Sequence, residues 1–282
     1  MSHKKMSIRE KLRLLLHLIV KIKNDDIFAL ASQLAYYLLL SFFPFIIFLI
    51  TLVGFSNMDS IQILNGIKAV VPEAVFDLTS STIIEVFDKQ YTGLLEISIL
   101  LALWTSSSGF RAVIKGVNKA YDFKENRSFI KRLIISMISV IALALTIILA
   151  LSMLVFGNVI ENYIIKIIPF TKLVVILWNI CRYVFVVIIM VFIFASIYRF
   201  TPSKRLKWRD VIPGSIFSTV GWIITSYGFS FYIDNFRNFS RFYGSLGAVF
   251  ILMTWLFLVS ILFILGVEIN CVLEQFKKQL LE

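Results

Sequence analysis

Charge is what this chain has least of. Asp, Glu, Lys and Arg make up 16% of its 282 residues, against about a quarter in an ordinary soluble domain. So few charges cannot clothe a soluble surface, which excludes one or two independent globular domains. Histidine is almost missing: the two in the sequence, His3 and His17, both sit in the N-terminal tail. The body of the chain therefore has no imidazole for metal or acid–base chemistry. The two cysteines, Cys181 and Cys271, fall in or beside apolar runs without a CxxC or Cys/His partner. That excludes a disulfide framework and a zinc site and reads as two buried thiols. No HExxH, P-loop, GxSxG or acidic metal cluster occurs, and Ser106, Ser107 and Ser108 stand together without a base. The expectation is a protein that is not an enzyme and needs no cofactor. Internal repeats and low-complexity linkers are missing too, which argues for one domain over 1–282.

Apolar residues are abundant instead, at 59% of the chain, where about 45–50% is usual. They come in long continuous runs, without the period-two alternation of a barrel, so the predicted fold class is all-α: a polytopic helical bundle in lipid. Six transmembrane helices are predicted, over about Ile27–Phe55, Gly93–Phe110, Leu133–Phe156, Leu173–Phe200, Val211–Ile233 and Leu246–Asn270. Pro44 interrupts the first, which is long enough to tilt or kink. Residues 1–26 are basic and part-apolar with no small-residue cleavage site, and read as an uncleaved cytoplasmic amphipathic helix on the membrane surface. Residues 57–91 are less apolar and read as a short amphipathic extracytoplasmic cap, with Pro72 opening its second helix.

The formal net charge of +11 suggests nucleic acid until the basic residues are placed. Seven precede the first span, seven lie between Arg111 and Arg132, five between Arg199 and Arg209, and Lys277 and Lys278 close the chain. The other three connections share Lys68, Lys89, Lys166, Lys172, Arg237 and Arg241. This strict alternation predicts both termini in the cytoplasm and explains most of the charge without a nucleic-acid partner. Membrane lipids are the expected partner. Arg182 is left over, inside the fourth span.

Polar groups at membrane depth need partners or water. Gln33, Tyr37, Ser41 and Pro44 share one helical face, with Tyr36 beside it, and this face is expected to point into the bundle. Inter-helix hydrogen bonding with a proline kink and a cavity wall are both open readings. Asn179 and Arg182 share a face of the fourth span, where Glu96 of the second is the nearest acidic candidate by depth. A structural Arg–Glu pair and an anion-binding site are again both open. Together Gln33, Tyr37, Ser41, Glu96, Asn179 and Arg182 form the candidate cavity for an anionic or amphipathic substrate. Glu268 near the cytoplasmic end, with Arg111 and Arg199 at similar depth, is a candidate inner gate or a plain helix-end ion pair. Gly214, Ser218, Gly221, Thr225 and Gly228 make a small-residue face that suits close helix packing, within a protomer or between protomers of an oligomer, or a sliding seam. Aromatic residues from Tyr227 to Tyr243 cluster at the outer end as an interfacial belt does.

In this order, several short stretches resemble the YihY/BrkB family of bacterial inner-membrane proteins. They are Ala31-Ser-Gln-Leu-Ala-Tyr-Tyr37 with Ser41-Phe-Phe-Pro44, and Trp104-Thr-Ser-Ser-Ser-Gly109 with Asn118-Lys-Ala-Tyr121. Tyr198-Arg-Phe200, Pro202, Trp208-Arg-Asp-Val-Ile-Pro-Gly214, Tyr243-Gly-Ser-Leu-Gly-Ala248, Trp255 and Gly266-Val-Glu-Ile-Asn270 complete the set. The resemblance covers nearly the whole chain and implies a bacterial inner membrane. Members were once labelled ribonuclease and have also been linked to export of lipid-like or small solutes; no substrate residues carry over. The ribonuclease label fits poorly, since no histidine or carboxylate cluster stands ready for phosphodiester cleavage. A transporter or flippase-like exporter is the expected function, with a non-transporting scaffold for envelope assembly as the alternative.

Overall fold

The computed structural model of the chain describes residues 8–54, 76, 80, 95–167, 171–235 and 245–279. Among these the long elements are all helices: α1 (Ile8–Asn24), α2 (Ile27–Gly54), α3 (Leu95–Ala120), α4 (Phe129–Ile167), α5 (Thr171–Phe200), α6 (Trp208–Asn235) and α7 (Ser245–Gln279). The cap expected over 57–91 lies outside the described residues apart from Phe76 and Ser80. Consecutive helices from α2 to α7 pack on one another wherever a described connection joins them, and α7 returns to touch α2, α3 and α1. The last helix is thereby the post around which the bundle closes.

The apolar pattern explains which faces turn outward. On α4 the exposed residues Ile130, Ile134, Ile138, Ile141, Leu145 and Leu149 recur every three or four positions. On α6, Ile212, Ile216, Val220, Ile224, Tyr227 and Phe231 do the same. Such stripes of bare aliphatic side chains are stable against hydrocarbon, not water. Cys181 belongs to this outer surface, which corrects its reading as a buried thiol, whereas Cys271 is buried.

Among the described residues five helices are long and apolar enough to cross a membrane, over Ile27–Leu49, Phe129–Ala150, Ile176–Phe200, Trp208–Ile233 and Val249–Lys278. The predicted second span is not among them, so the count of six is not reproduced. The reason lies in α3 itself, where Thr105 to Ser108, Arg111 and Lys115 replace apolar residues. Its serines satisfy themselves on their own helix, Ser106 on the Ala102 carbonyl, Ser107 on Trp104 at 2.6 Å and Ser108 on Thr105 at 2.7 Å. With those groups paired, α3 packs between α2, α4 and α7 without an all-apolar surface.

Two helix ends stop without glycine. Asp26 and Asp122 both adopt positive φ, 48° and 54°. After α3 the Phe123 N–H reaches back to the Asn118 carbonyl at 2.8 Å and the Asp122 N–H to Lys119 at 3.1 Å. This is the paired-bond termination that usually recruits glycine; aspartate is one of the few side chains that tolerates the left-handed region.

The small-residue face of α6 is a packing seam against α7. A methyl group on Gly214 would collide with the Gly266 carbonyl oxygen and the Asn270 amide, and one on Gly221 with Leu262. Asn270 fills the seam: its Oδ1 accepts the Gly214 N–H at 2.7 Å and its Nδ2 donates to the Val211 carbonyl at 3.1 Å. Pro213 sits within this turn of α6 and lacks an N–H of its own. Higher up, the Tyr198 hydroxyl of α5 lies 2.7 Å from Ser218 Oγ and 2.9 Å from the Phe263 carbonyl, while Ser218 is 3.0 Å from the Leu262 carbonyl. Two hydroxyl protons serve three contacts, so the trio holds α5, α6 and α7 together by sharing them. A methyl group on Gly228 would meet no described neighbour within 4 Å, which removes that glycine from the seam.

Candidate functional site

Two cavities share the walls of α2 and α3. The first is a half-open apolar chamber of about 200 Å³, lined by residues of α2, α3, α4, α5 and α7. Phe42, Phe45, Phe110, Phe194 and Phe263 supply most of its bulk, and Ser41, Ser106 and Ser260 are its hydroxyls. Ser41 donates to the Leu38 carbonyl at 3.1 Å, and Ser106 is satisfied on its own helix. The Ser260 hydroxyl is buried and has no hydrogen-bond partner among the described residues. Most buried hydroxyls in folded proteins have a partner, so Ser260 is an exception in this wall.

The second is a groove of about 560 Å³ toward the end of the bundle where α3 finishes and α4 begins. Ser108, Arg111, Lys115 and Lys119 line it from α3, Phe129 and Arg132 from α4, and Tyr37 from α2. The α3 residues recur at three- and four-residue steps because one face of that helix forms the wall. Arg111 donates to Ser107 Oγ at 2.6 Å. Glu125 also lines the groove, but Arg127 grips it at 2.8 and 2.6 Å and Asn118 donates to it at 2.8 Å. The Arg127 guanidinium accordingly holds the Glu125 carboxyl below the usual glutamate range.

The same end of the bundle collects a polar network from four parts of the chain. Arg127 continues to the Thr201 carbonyl at 2.9 Å, and Asn118 Oδ1 accepts the Ser203 N–H at 2.7 Å, so the α3–α4 and α5–α6 connections are clasped. Lys277 meets Asp210 at 3.1 Å and His17 meets Gln275 at 3.0 Å. Lys21 of α1 is buried with its ammonium 2.6 Å from Asp25, 3.5 Å from Glu268 and 3.7 Å from Asp122. Burial pulls that ammonium down, but the Asp25 hydrogen bond and the Glu268 charge outweigh it and hold it above the usual lysine range. The segments richest in basic residues are thus neighbours in space as well as alike in charge.

The expected sites are brought together only in part. The polar face of α2 is split. Gln33 is exposed, Tyr36 and Tyr37 are 51% and 37% exposed, and Ser41 is buried. The face that turns inward is Ile27, Ala31, Leu34, Leu38, Ser41, Phe45 and Phe48, one step round the helix. Burying the Gln33 amide without a partner would cost more than burying leucine gains. Tyr37 lines the groove and Ser41 the chamber. Arg182 is half-buried on α5 and lines neither. The side chains of Glu96 and Asn179 lie outside the described residues. In the expected gate, Glu268 meets Lys21, whereas Arg111 serves Ser107 and Arg199 stacks over Phe200 and Trp208, its guanidinium carbon 5.4 and 4.8 Å from the ring centres. Thr225 of the small-residue face is half-buried. Sequence reasoning missed Lys21, Ser260 and Arg132. Lys21 and Arg132 were counted among orientation charges, and nothing in their spacing marks them off from their basic neighbours.

Similarity to known proteins agrees with the fold. The family model described as virulence factor BrkB matches residues 18–281. A protein named as ribonuclease-like, YfkH of Bacillus subtilis (strain 168), is 38% identical over 248 residues, covering 88% of this chain and 90% of that protein. A UPF0761 membrane protein of Pseudoalteromonas atlantica is 26% identical, covering 90% of this chain and 83% of that protein. Another, of Alteromonas mediterranea, is 25% identical, covering 91% and 86%. No solved structure matches the chain.

Proposed function

The chain belongs to the BrkB family of membrane proteins, and we propose that within this multi-pass fold it acts as a transporter or flippase-like exporter of an amphipathic or anionic solute. The observation that carries the proposal is the apolar chamber, walled by five helices and holding a Ser260 hydroxyl with no partner among the described residues. Tight helix packing is the rule in a bundle that serves only as an anchor. A hollow with three hydroxyls at membrane depth suits the passage of a solute with an apolar body. In this reading the end bearing α1, the two clasped connections and the C-terminus faces the cytoplasm, which its concentration of lysine and arginine supports.

The test is transport by purified full-length protein in sealed vesicles, using a fluorescent acidic amphipath. Ser260→Leu, which fills the chamber, is expected to slow movement at least tenfold while the protein stays folded. Unchanged transport by that variant, or no protein-dependent transport by the wild type, defeats the proposal.

A scaffold for envelope assembly is favoured by one observation, the clasp that ties Asn118, Arg127, Thr201 and Ser203 into a fixed platform. Single cysteines at Ser41 and Ser260, in a background lacking Cys181 and Cys271, separate the readings. Reaction with a small thiol reagent supports a transport chamber, and complete protection supports a dry scaffold. We expect no ribonuclease activity: stringently purified protein should leave RNA intact with or without magnesium.

A further inference from the structure

The groove at the α3–α4 end carries positive charge that its surroundings do not answer. Arg111, Lys115 and Lys119 follow one another every four residues along α3, and Arg132 faces the same space from the first turn of α4. Among the described residues none of the four forms an ion pair with a carboxylate. Glu125, the one carboxylate in the wall, is committed to Arg127 and Asn118. The Nε–H of Arg132 is shut off from solvent and has no hydrogen-bond partner among the described residues. A desolvated guanidinium donor left unmade is costly.

Orientation alone does not explain this arrangement. Charges that merely mark the cytoplasmic side need only reach water. Arg111 lies nine residues before the end of α3, about 14 Å up the helix, and shares its cavity with Tyr37 of α2. Guanidinium groups bind tetrahedral oxyanions through paired N–H bonds, and lysines add charge with less geometric demand. Tyr37 of α2 and Phe129 of α4, both exposed, stand in the groove's own wall. Hydrocarbon tails can lie on them without leaving the bilayer.

We propose that this groove binds the phosphate of an anionic phospholipid, with Arg111 and Arg132 on the phosphate oxygens and Lys115 and Lys119 neutralising the rest of the headgroup. It rests on the transporter reading only in making this lipid the cargo; binding itself is a separate property. The free anion shares the recognition chemistry but lacks tails for the apolar part of the wall.

Native mass spectrometry of the full-length protein in detergent tests it, with phosphatidylglycerol, phosphatidylcholine and inorganic phosphate as probes. Wild type is expected to retain phosphatidylglycerol at least tenfold better than phosphatidylcholine, and 20 mM phosphate should displace little of it. Arg111→Gln/Arg132→Gln should lose about tenfold in retention. Lys277→Gln/Lys278→Gln, which removes the same charge from the same end outside the groove, should lose none. Should the arginine pair not fold, Lys115→Gln/Lys119→Gln on exposed positions is expected to lose severalfold. Equal losses in groove and control variants, no preference for phosphatidylglycerol, or retention of inorganic phosphate alone each overturn the proposal. Retained phosphatidylglycerol with no lipid movement in vesicles instead defeats this lipid as the cargo and leaves the groove assignment standing; loss of acidic-amphipath transport as well defeats the transporter reading.

Discussion

Replacing Lys21 by methionine should destabilise the protein more than neutralising its partner Glu268. Glu268 is 0% exposed, and neither of its carboxylate oxygens has a hydrogen-bond partner among the described residues. Its described cation is Lys21, at 3.5 Å. Removing the ammonium leaves a buried carboxyl that must stay charged without its cation or take up a proton, so breaking the pair from this side costs at most about 3–5 kcal/mol. The reverse change is milder, because Glu268→Gln leaves Lys21 with Asp25 at 2.6 Å; burying the neutral amide is expected to cost about 1–2 kcal/mol. In Lys21→Met/Glu268→Gln the stranded charge is gone, so the double variant should be more stable than Lys21→Met alone, with a coupling of about 2–3 kcal/mol. Asp25 keeps part of the penalty, since it too loses its nearest cation. Reversible unfolding of the four proteins in mixed detergent micelles, followed by tryptophan fluorescence, gives the cycle. Additive effects, or a Lys21→Met cost no larger than that of Glu268→Gln, would refute the reasoning that α1 is fastened to α7 through this pair.

Three further outcomes follow from particular contacts. Gly214→Ala should lower thermal stability strongly, because its methyl meets the Gly266 carbonyl and displaces Asn270, whereas Gly228→Ala should be neutral or raise it by up to about 1 kcal/mol through helix propensity; equal melting points for the two would dissolve the seam. The Glu125 carboxyl is held below its ordinary range, so its contribution to stability is full above about pH 4.5 and is lost as pH falls through its lowered value. Acidification from pH 6 to below 4 should therefore lower the melting temperature of wild type more than that of Glu125→Gln, and parallel curves would show that the clasp adds nothing. Cysteines placed singly at Lys204 and Lys278 should react with an impermeant thiol reagent only after the cytoplasmic face is opened; labelling in intact cells would reverse the orientation.

The environment follows from composition alone. Long aliphatic runs can be satisfied only by lipid, and continuous runs in lipid can be satisfied only by helices, so a polytopic α-helical protein was legible before any contact was known. The family motifs were legible for the same reason, being local strings. The helix count was not legible, because α3 carries Thr105 to Ser108, Arg111 and Lys115 where a span is apolar, while Ser106, Ser107 and Ser108 pair on their own backbone. The site was largely illegible. Spacing placed Gln33, Tyr37 and Ser41 on one face but could not say how that face was turned, and a rotation of one residue sent Gln33 outward and Ser41 in. Charge counting treated Lys21 and Arg132 like every other basic residue. Only the tertiary structure distinguished them, by burying one against Glu268 and aiming the other into a groove whose single carboxylate was already taken. Composition responds to the solvent around the whole chain, whereas a partner for a buried charge depends on which distant helix arrives beside it.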